Sequence, residues 1–464
     1  MKPQQALILP PAEYFKTYDI RGIVGSDGLT QTNVEGLGGA IAELARQFGQ
    51  TTLVVGRDVR SSGQALQEAL TRGLLQAGCD VIDIGIVSTP VMYFATYQLR
   101  TLAGVMVTAS HNPPEYNGFK MVLAGRCLTP EEIQSLLMQS SPVPYERPGS
   151  YSKHGIEEAY YDRVLSDVTL KRKMKVVVDC GNGAVSRLAP ELIKRLGCEV
   201  IPLYCEFDGQ FPNHMPDPSR SENLLALSHK VQSEGADLGI AFDGDGDRLA
   251  VVDDHGCIIL PDRLIMVYAK ELLSRQPGAT ILIDVKSSRR IIDYVEQLGG
   301  QVVMWKSGHS LMKEKMREMN IPFGGELSGH MFFKDRWYGF DDGLYAASRL
   351  LEILSAVDDT AHEFFSAFPE GYFTPEILVP VLEGQAKGII ERMQSNASEF
   401  EGEALLIDGL RVDYPDGWGL VRASNTMPYL TMRFEAESPS ALLAIQQKFK
   451  ARLVAVCPTL DLPF

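Results

Sequence analysis

Four short stretches concentrate side chains that can do chemistry. The first, VMVTASHNPPEYNGFK, runs from Val105 to Lys120. An apolar run breaks into Ser110, His111 and Asn112, and Pro113–Pro114 stiffens the next turn. Pro113 pushes Asn112 toward extended backbone, so the Ser110 hydroxyl stands at a rigid strand end, where α/β sheets bind ligands. Taken alone, Ser110 also reads as the cap of an ordinary solvated turn.

The second stretch, AFDGDGDRLAVVDD, alternates Asp243, Asp245 and Asp247 with glycines. Three carboxylates this close repel one another unless a cation gathers them. Glycine between them lets the backbone curl so that all three point inward. A calcium-binding EF-hand is excluded, because its sixth position needs Gly and is Arg248, and its twelfth needs Glu and is Asp254. Hard oxygen donors favour Mg²⁺ over zinc, with a substrate or phosphoryl oxygen completing the shell. A solvated acidic turn is the plainer alternative.

The third stretch, FGGELSGHMFFKD, sets Glu326 two residues from Ser328, on one face if the backbone is extended. A carboxylate and a hydroxyl so placed suit the vicinal hydroxyls of a sugar; an empty glycine-rich hairpin fits the residues as well. The fourth, VRASNTMPYLTMRFEA, offers Arg422, Ser424, Asn425 and Thr426, with Arg433 on the next strand. Arginine with clustered hydroxyls and backbone N–H groups holds phosphate without a metal. A surface turn with an ordinary Arg is the alternative. YDIRG puts Tyr18 and Arg21 near a glycine turn, and KSGHS puts His309 in a polar loop.

Three similar segments must position these loops. They are TLVVGRDVRSSGQALQEALTRGLLQAGCDVIDIG, KVVVDCGNGAVSRLAPELIKRLGCEVIPLY and TILIDVKSSRRIIDYVEQLGGQVVMWK. Each opens with a β-branched run, turns through polar residues into an amphipathic helix, then passes a glycine into a second strand. Leu66, Leu70, Leu74 and Ala77 recur at helical spacing, as do Leu188, Leu192, Ile193 and Leu196. The glycines fall where a helix C-cap needs left-handed backbone. Each segment reads as a βαβ unit with parallel pairing. The last ~95 residues differ: strand-like runs flank YPDGW, and a helix is expected over Leu442–Leu453. The expected fold is α/β, with three similar mixed α/β/α domains plus a smaller C-terminal α+β domain. Expected boundaries are 1–154, 155–257, 258–369 and 370–464.

Composition limits the function classes. Length alone suggests about three domains, give or take one. With 44 Lys plus Arg against 59 Asp plus Glu, the net charge of −15 argues against a nucleic-acid partner. No apolar run approaches the ~20 residues of a membrane span. The seven cysteines are scattered without a CxxC pair and read as reduced, mostly buried thiols. The N-terminal residues do not read as a signal peptide. A cytoplasmic, monomeric chain with small-molecule partners is expected.

Together, TASHNP, DGDGDR, GELSGH and RASNTMP, in this order, resemble the α-D-phosphohexomutase superfamily, and within it the bacterial phosphomannomutase/phosphoglucomutase branch. The resemblance runs from YDIRG to RASNTMPYLTMRFE and implies four domains around a central cleft. It implies that Ser110 carries a phosphoryl group and that Asp243, Asp245 and Asp247 hold Mg²⁺, with an oxygen of phosphorylated Ser110 as a further ligand. Glu326 and Ser328 would read sugar hydroxyls; Arg422, Ser424, Asn425, Thr426 and Arg433 would hold the non-reacting phosphate. Tyr18, Arg21, His111, Lys120, Arg248, His309 and His330 would contact the catalytic centre or the substrate. Among them Lys120 is the first candidate for general acid/base, with Arg21 and His309 as further catalytic residues. Met427 and Leu327 depart from, or vary within, the pattern.

The implied reaction interconverts hexose 1-phosphate and hexose 6-phosphate, for mannose, glucose or both, through phosphoserine and a hexose 1,6-bisphosphate. That bisphosphate would also serve as activator. Reorienting it requires a cleft that loosens, so the fourth domain is expected to hinge. A phosphohydrolase and a non-catalytic sugar-phosphate or metal sensor are the rival classes.

Overall fold

The computed structural model describes residues 7–138, 147–382, 384–424 and 428–464. Its first three sheets share one plan: parallel strands, then one strand that doubles back. In the first, Thr52–Arg57 lies parallel to Asp80–Ile86 and Gly104–Val107, and Tyr116–Leu123 returns antiparallel beside Gly104–Val107. Ile20–Ile23 completes that edge. In the second, Lys175–Asp179 pairs in parallel with Glu199–Leu203 and Leu238–Phe242, and Leu249–Asp253 returns. In the third, Thr280–Asp284 pairs in parallel with Gln301–Trp305 and Phe323–Gly325, and Met331–Phe333 returns.

Each return is a hairpin, and its loop is one of the chemistry-bearing stretches. Ser110, the Asp triplet and Glu326 with Ser328 thus occupy equivalent places in three repeats of one unit. The strands leading into them are apolar and fully buried, as in Gly104–Val107 and Leu238–Phe242. A buried strand cannot shift register without exposing its apolar side chains, so each loop is held at a fixed root.

Helices cover these sheets as the periodicity predicts. Leu66, Leu70 and Leu74 are buried on Gly63–Gln76, and Leu188, Leu192 and Ile193 on Leu188–Arg195. Gly78, Gly197 and Gly299, just past the helix ends, all take positive φ.

The fourth sheet is antiparallel throughout, with Gly417–Ala423 between Leu410–Tyr414 and Tyr429–Ala436. Its closing helix is longer than the apolar spacing suggests, Pro439–Val456, because Ser438 caps it at Ala441 N and Pro439 opens it. One apolar core runs through the first three units, with Phe94, Tyr160, Trp337 and Tyr345 at the seam. The fourth has its own core around Phe434 and Phe449. It meets the third partly through polar contacts: Arg411 donates to the carbonyls of Val285 and Ser287 at 2.8 Å each. No helix among the described residues is long and apolar enough to cross a membrane.

Candidate active site

The Ser110 loop meets the aspartate loop directly. Ser110 Oγ donates to Asp243 Oδ2 at 2.7 Å, and His111 Nδ1 lies 3.1 Å from the same hydroxyl. Ser110 sits at φ +50°, a region that costs a non-glycine residue about 1–3 kcal/mol and persists only where the surroundings hold it. Here they do: Ser110 N donates to Thr108 Oγ1 at 2.9 Å, and Arg60 Nη2 donates to Ser110 O at 2.8 Å. Gly244 makes the approach of the two loops possible, since a Cβ there would lie 2.5 Å from Ser110 O.

Asp243, Asp245 and Asp247 are fully buried, and their ligand atoms lie within 4.8 Å of one another. Lys120, from the returning strand Tyr116–Leu123, places Nζ 2.7 Å from Asp245 Oδ2 and 2.5 Å from Asp247 Oδ2. Burial alone would lower its pKa, but the aspartates outweigh burial and hold the ammonium well above its ordinary value. As arranged, Lys120 stands as a buried cation between Asp245 and Asp247.

The third loop is not extended. Glu326 N donates to His330 O and Gly329 N to Glu326 O, closing a tight turn. The Glu326 and Ser328 side chains therefore converge through His330 and not through strand alternation. His330 Nδ1 is 2.9 Å from Glu326 Oε2 and 2.8 Å from Ser328 Oγ, while Nε2 lies 3.3 Å from Asp247 Oδ1. Burial opposes charge on this ring, but Asp247 and Glu326 raise its pKa to about 9. Arg248 Nε points at His330 Nε2, 3.4 Å away, and its guanidinium lies 3.6 Å from Asp217.

Two chain-distant residues close the space. Arg21 donates to Asn112 Oδ1 at 2.6 Å and to Asp19 Oδ2 at 2.5 Å. Tyr18 Oη donates to Ser307 O at 3.2 Å, and its ring meets His309 edge-on, with centroids 5.7 Å apart. Ser307 N in turn donates to Asp408 Oδ2 at 3.0 Å, and the same oxygen accepts from Arg422 Nε at 3.1 Å. The strand that carries Arg422, with Ser424 just past its end, is thus connected to the first and third units. Asn425, Thr426 and Met427 lie outside the described residues.

Arg433 does not join them. It is buried against Asp262, with Nη2 2.6 Å from Oδ2, and donates to Lys286 O at 2.5 Å. Its guanidinium ties the fourth unit to the third.

Family models for phosphoglucomutase/phosphomannomutase match four times in order: α/β/α domain I over residues 12–141, domain II over 155–256, domain III over 260–372 and the C-terminal domain over 377–452. The chain belongs to the phosphoglucomutase/phosphomannomutase family. It is an enzyme of the isomerase class within the α-D-phosphohexomutase superfamily. A phosphomannomutase/phosphoglucomutase of Pseudomonas aeruginosa is 51% identical over 98% of both chains. A phosphoglucomutase of Neisseria gonorrhoeae is 47% identical over 95% of this chain and 96% of its own. The crystal structure of a Burkholderia thailandensis phosphoglucomutase/phosphomannomutase family protein superposes with a TM-score of 0.92 at 45% identity, covering 98% of this chain and all of that one.

In this phosphoglucomutase/phosphomannomutase family chain, three functional residues escape a sequence reading. Arg60 is fully buried, pairs with Asp58 at 3.1 Å, and donates to the carbonyls of Ser110, Asn112, Pro113 and Tyr116, pinning the serine loop from beneath. Thr89 Oγ1 donates to Asp245 Oδ2 at 2.5 Å. Asp341 lies 3.5 Å from His309 Nδ1 and takes an ion pair from Lys313 at 2.6 Å. Their local sequence is ordinary turn and helix-start chemistry; only partners tens to hundreds of residues away give them a role.

The aspartate site fits a hard divalent cation. Asp245 Oδ1 is buried with no hydrogen-bond partner among the described residues. Burial together with Asp247 and Asp245 holds Asp243 well above the usual carboxylate range, a penalty that a cation removes.

Proposed function

We propose that this enzyme interconverts hexose 1-phosphate and hexose 6-phosphate, of mannose, glucose or both, using Ser110 as a phosphoryl carrier. The carrying observation is the Ser110 Oγ–Asp243 contact of 2.7 Å beside Lys120, at a site built from three carboxylates. A binding protein has no need of a hydroxyl held in left-handed backbone against buried charge.

In this reading phosphorylated Ser110 gives its phosphoryl group to the free hydroxyl of the sugar phosphate. The Oγ–P bond breaks, the hydroxyl oxygen–P bond forms, the hydroxyl proton ends on Ser110 Oγ, and a hexose 1,6-bisphosphate results. The bisphosphate then reorients, and Ser110 Oγ takes back the other phosphoryl group. Phosphoryl transfer asks mainly for positioning and charge stabilisation, and Lys120, Arg21 and Arg248 supply cations around Ser110. Asp243, Asp245 and Asp247 would hold Mg²⁺, which when bound neutralises charge on phosphoryl oxygens. Glu326 and Ser328 would accept and donate to sugar hydroxyls, with His330 fixing both. Arg422 and Ser424 would anchor the phosphate that is not reacting. One chain supplies every group, consistent with a monomer working on small-molecule sugar phosphates. The bisphosphate would also serve as activator, recharging Ser110 after loss of an intermediate.

The test is a side-by-side assay with mannose 1-phosphate, glucose 1-phosphate and glucosamine 1-phosphate, reading 6-phosphate and inorganic phosphate. Formation of the mannose or glucose 6-phosphate supports the reading. Inorganic phosphate as the main product would establish a hydrolase instead.

A further inference from the structure

The strand Leu249–Asp253 starts two residues after Asp247 of the catalytic site and ends, about 13 Å of extended chain later, at a second constellation. Its hairpin turn reads Asp253, Asp254, His255, Gly256, Cys257. Opposite it lies the helix Ala361–Ser366, which carries His362 and is the last helix before the fourth sheet begins at Tyr372–Phe373. The ligand atoms of Asp253, Cys257 and His362 lie within 4.8 Å of one another.

These groups are already oriented. Asp253 is buried, and its Oδ1 accepts from the backbone N–H of His255 at 3.0 Å and of Cys257 at 2.8 Å. Its Oδ2 faces His362 Nδ1 at 2.9 Å. His362 N donates to Asp254 Oδ1 at 2.7 Å, and the His362 ring stacks on His255 with centroids 4.1 Å apart. Among the seven free thiols, Cys257 is the exposed one; Cys79, Cys180 and Cys198 are buried and the others half-buried.

We propose that Asp253, Cys257 and His362 bind one divalent transition-metal ion, with zinc matching the donor set best. A thiolate, an imidazole and a carboxylate suit zinc and exclude magnesium, which avoids sulfur. Tetrahedral zinc wants donors about 3.4 Å apart with bonds of about 2.0–2.3 Å, a spacing these side chains reach by rotamer adjustment. Binding releases the Cys257 thiol proton and requires His362 as its Nε2–H tautomer, leaving Nδ1 free to coordinate. Water fills the fourth position. The two backbone donors to Asp253 Oδ1 supply the outer hydrogen bonds that orient a ligating carboxylate. The ion would staple the second unit's hairpin to the helix from which the fourth unit departs.

The test uses the full chain in excess Mg²⁺, titrated with Co²⁺ and read by visible and near-ultraviolet absorption. The proposal predicts one equivalent with a thiolate-to-cobalt charge-transfer band, displaced by zinc. The band should vanish in Cys257→Ser, and affinity should fall at least about tenfold in His362→Gln. Zinc should raise the unfolding temperature of the parent chain and of neither variant, with mutase activity in Mg²⁺ unchanged in all three. A band that persists in Cys257→Ser, or a parent chain that takes up no cobalt, would overturn it.

Discussion

Ser110 Oγ and Asp243 Oδ2 lie 2.7 Å apart although 133 residues separate them and each stands on a different sheet. The contact depends on Gly244, whose missing side chain leaves room for Ser110 O. Gly244→Ala should therefore force the two loops apart. We expect kcat to fall about 10²-fold, as a displacement near 1 Å does at a site that works by positioning, with KM changed far less. Steady-state kinetics on the variant gives the answer; an unchanged kcat would mean that the contact is not needed.

Arg60 carries the underside of the same loop. Arg60→Ala would strip four carbonyls of their donor and leave Asp58 buried and without its ion-pair partner. Breaking a buried pair in this way costs about 3–5 kcal/mol. Urea denaturation should report a loss of that size, together with reduced activity.

Arg422 is tied to Asp408 on its own unit, away from the Ser110 loop, and its role should show in binding. A charge-assisted hydrogen bond is worth about 1.5–3 kcal/mol, or about 10- to 100-fold. Arg422→Ala should raise KM for the sugar phosphate by that factor and lower kcat less. An unchanged KM would count against the fourth loop as the phosphate anchor.

His309 makes the protein acid-sensitive. Burial, then Lys313, Lys120 and His330, hold its pKa well below 6.5, against the opposing pull of Asp247 and the nearby Asp341. The unfolded chain binds that proton near pH ~6.5 and the folded chain does not. The stability it contributes is therefore full above about pH 6.5 and declines as the pH falls below it. His309→Gln should flatten that part of the curve of unfolding temperature against pH; an unaltered acid limb would show that the ring is not held neutral.

Much of this site is legible in the sequence, and the reasons are local. Asp243, Asp245 and Asp247 announce themselves because close carboxylates demand an explanation; Ser110 alone reads as the cap of a turn and gains its meaning from the triplet and the distant Arg422 loop. The repeats are readable because strand and helix periodicities survive in the apolar residues. Arg60 is not legible, since its meaning lies in carbonyls some 50 residues onward. The Arg433–Asp262 pair is not legible either: Arg433 stands opposite Leu420, two residues down the strand from Arg422, and its partner lies 171 positions away. Glu326 and Ser328 do converge, but through a different backbone from the one expected, because glycine-rich runs fit a turn as readily as a strand.

The central claim is that Ser110 carries the phosphoryl group. The direct measurement is intact mass, before and after treatment with glucose 1,6-bisphosphate, of the parent chain and Ser110→Ala. The account predicts a gain of one phosphoryl group on the parent chain, mapping to the peptide that contains Ser110, and none on the variant. No gain on the parent chain under conditions where it turns over, or an equal gain on Ser110→Ala, would contradict it.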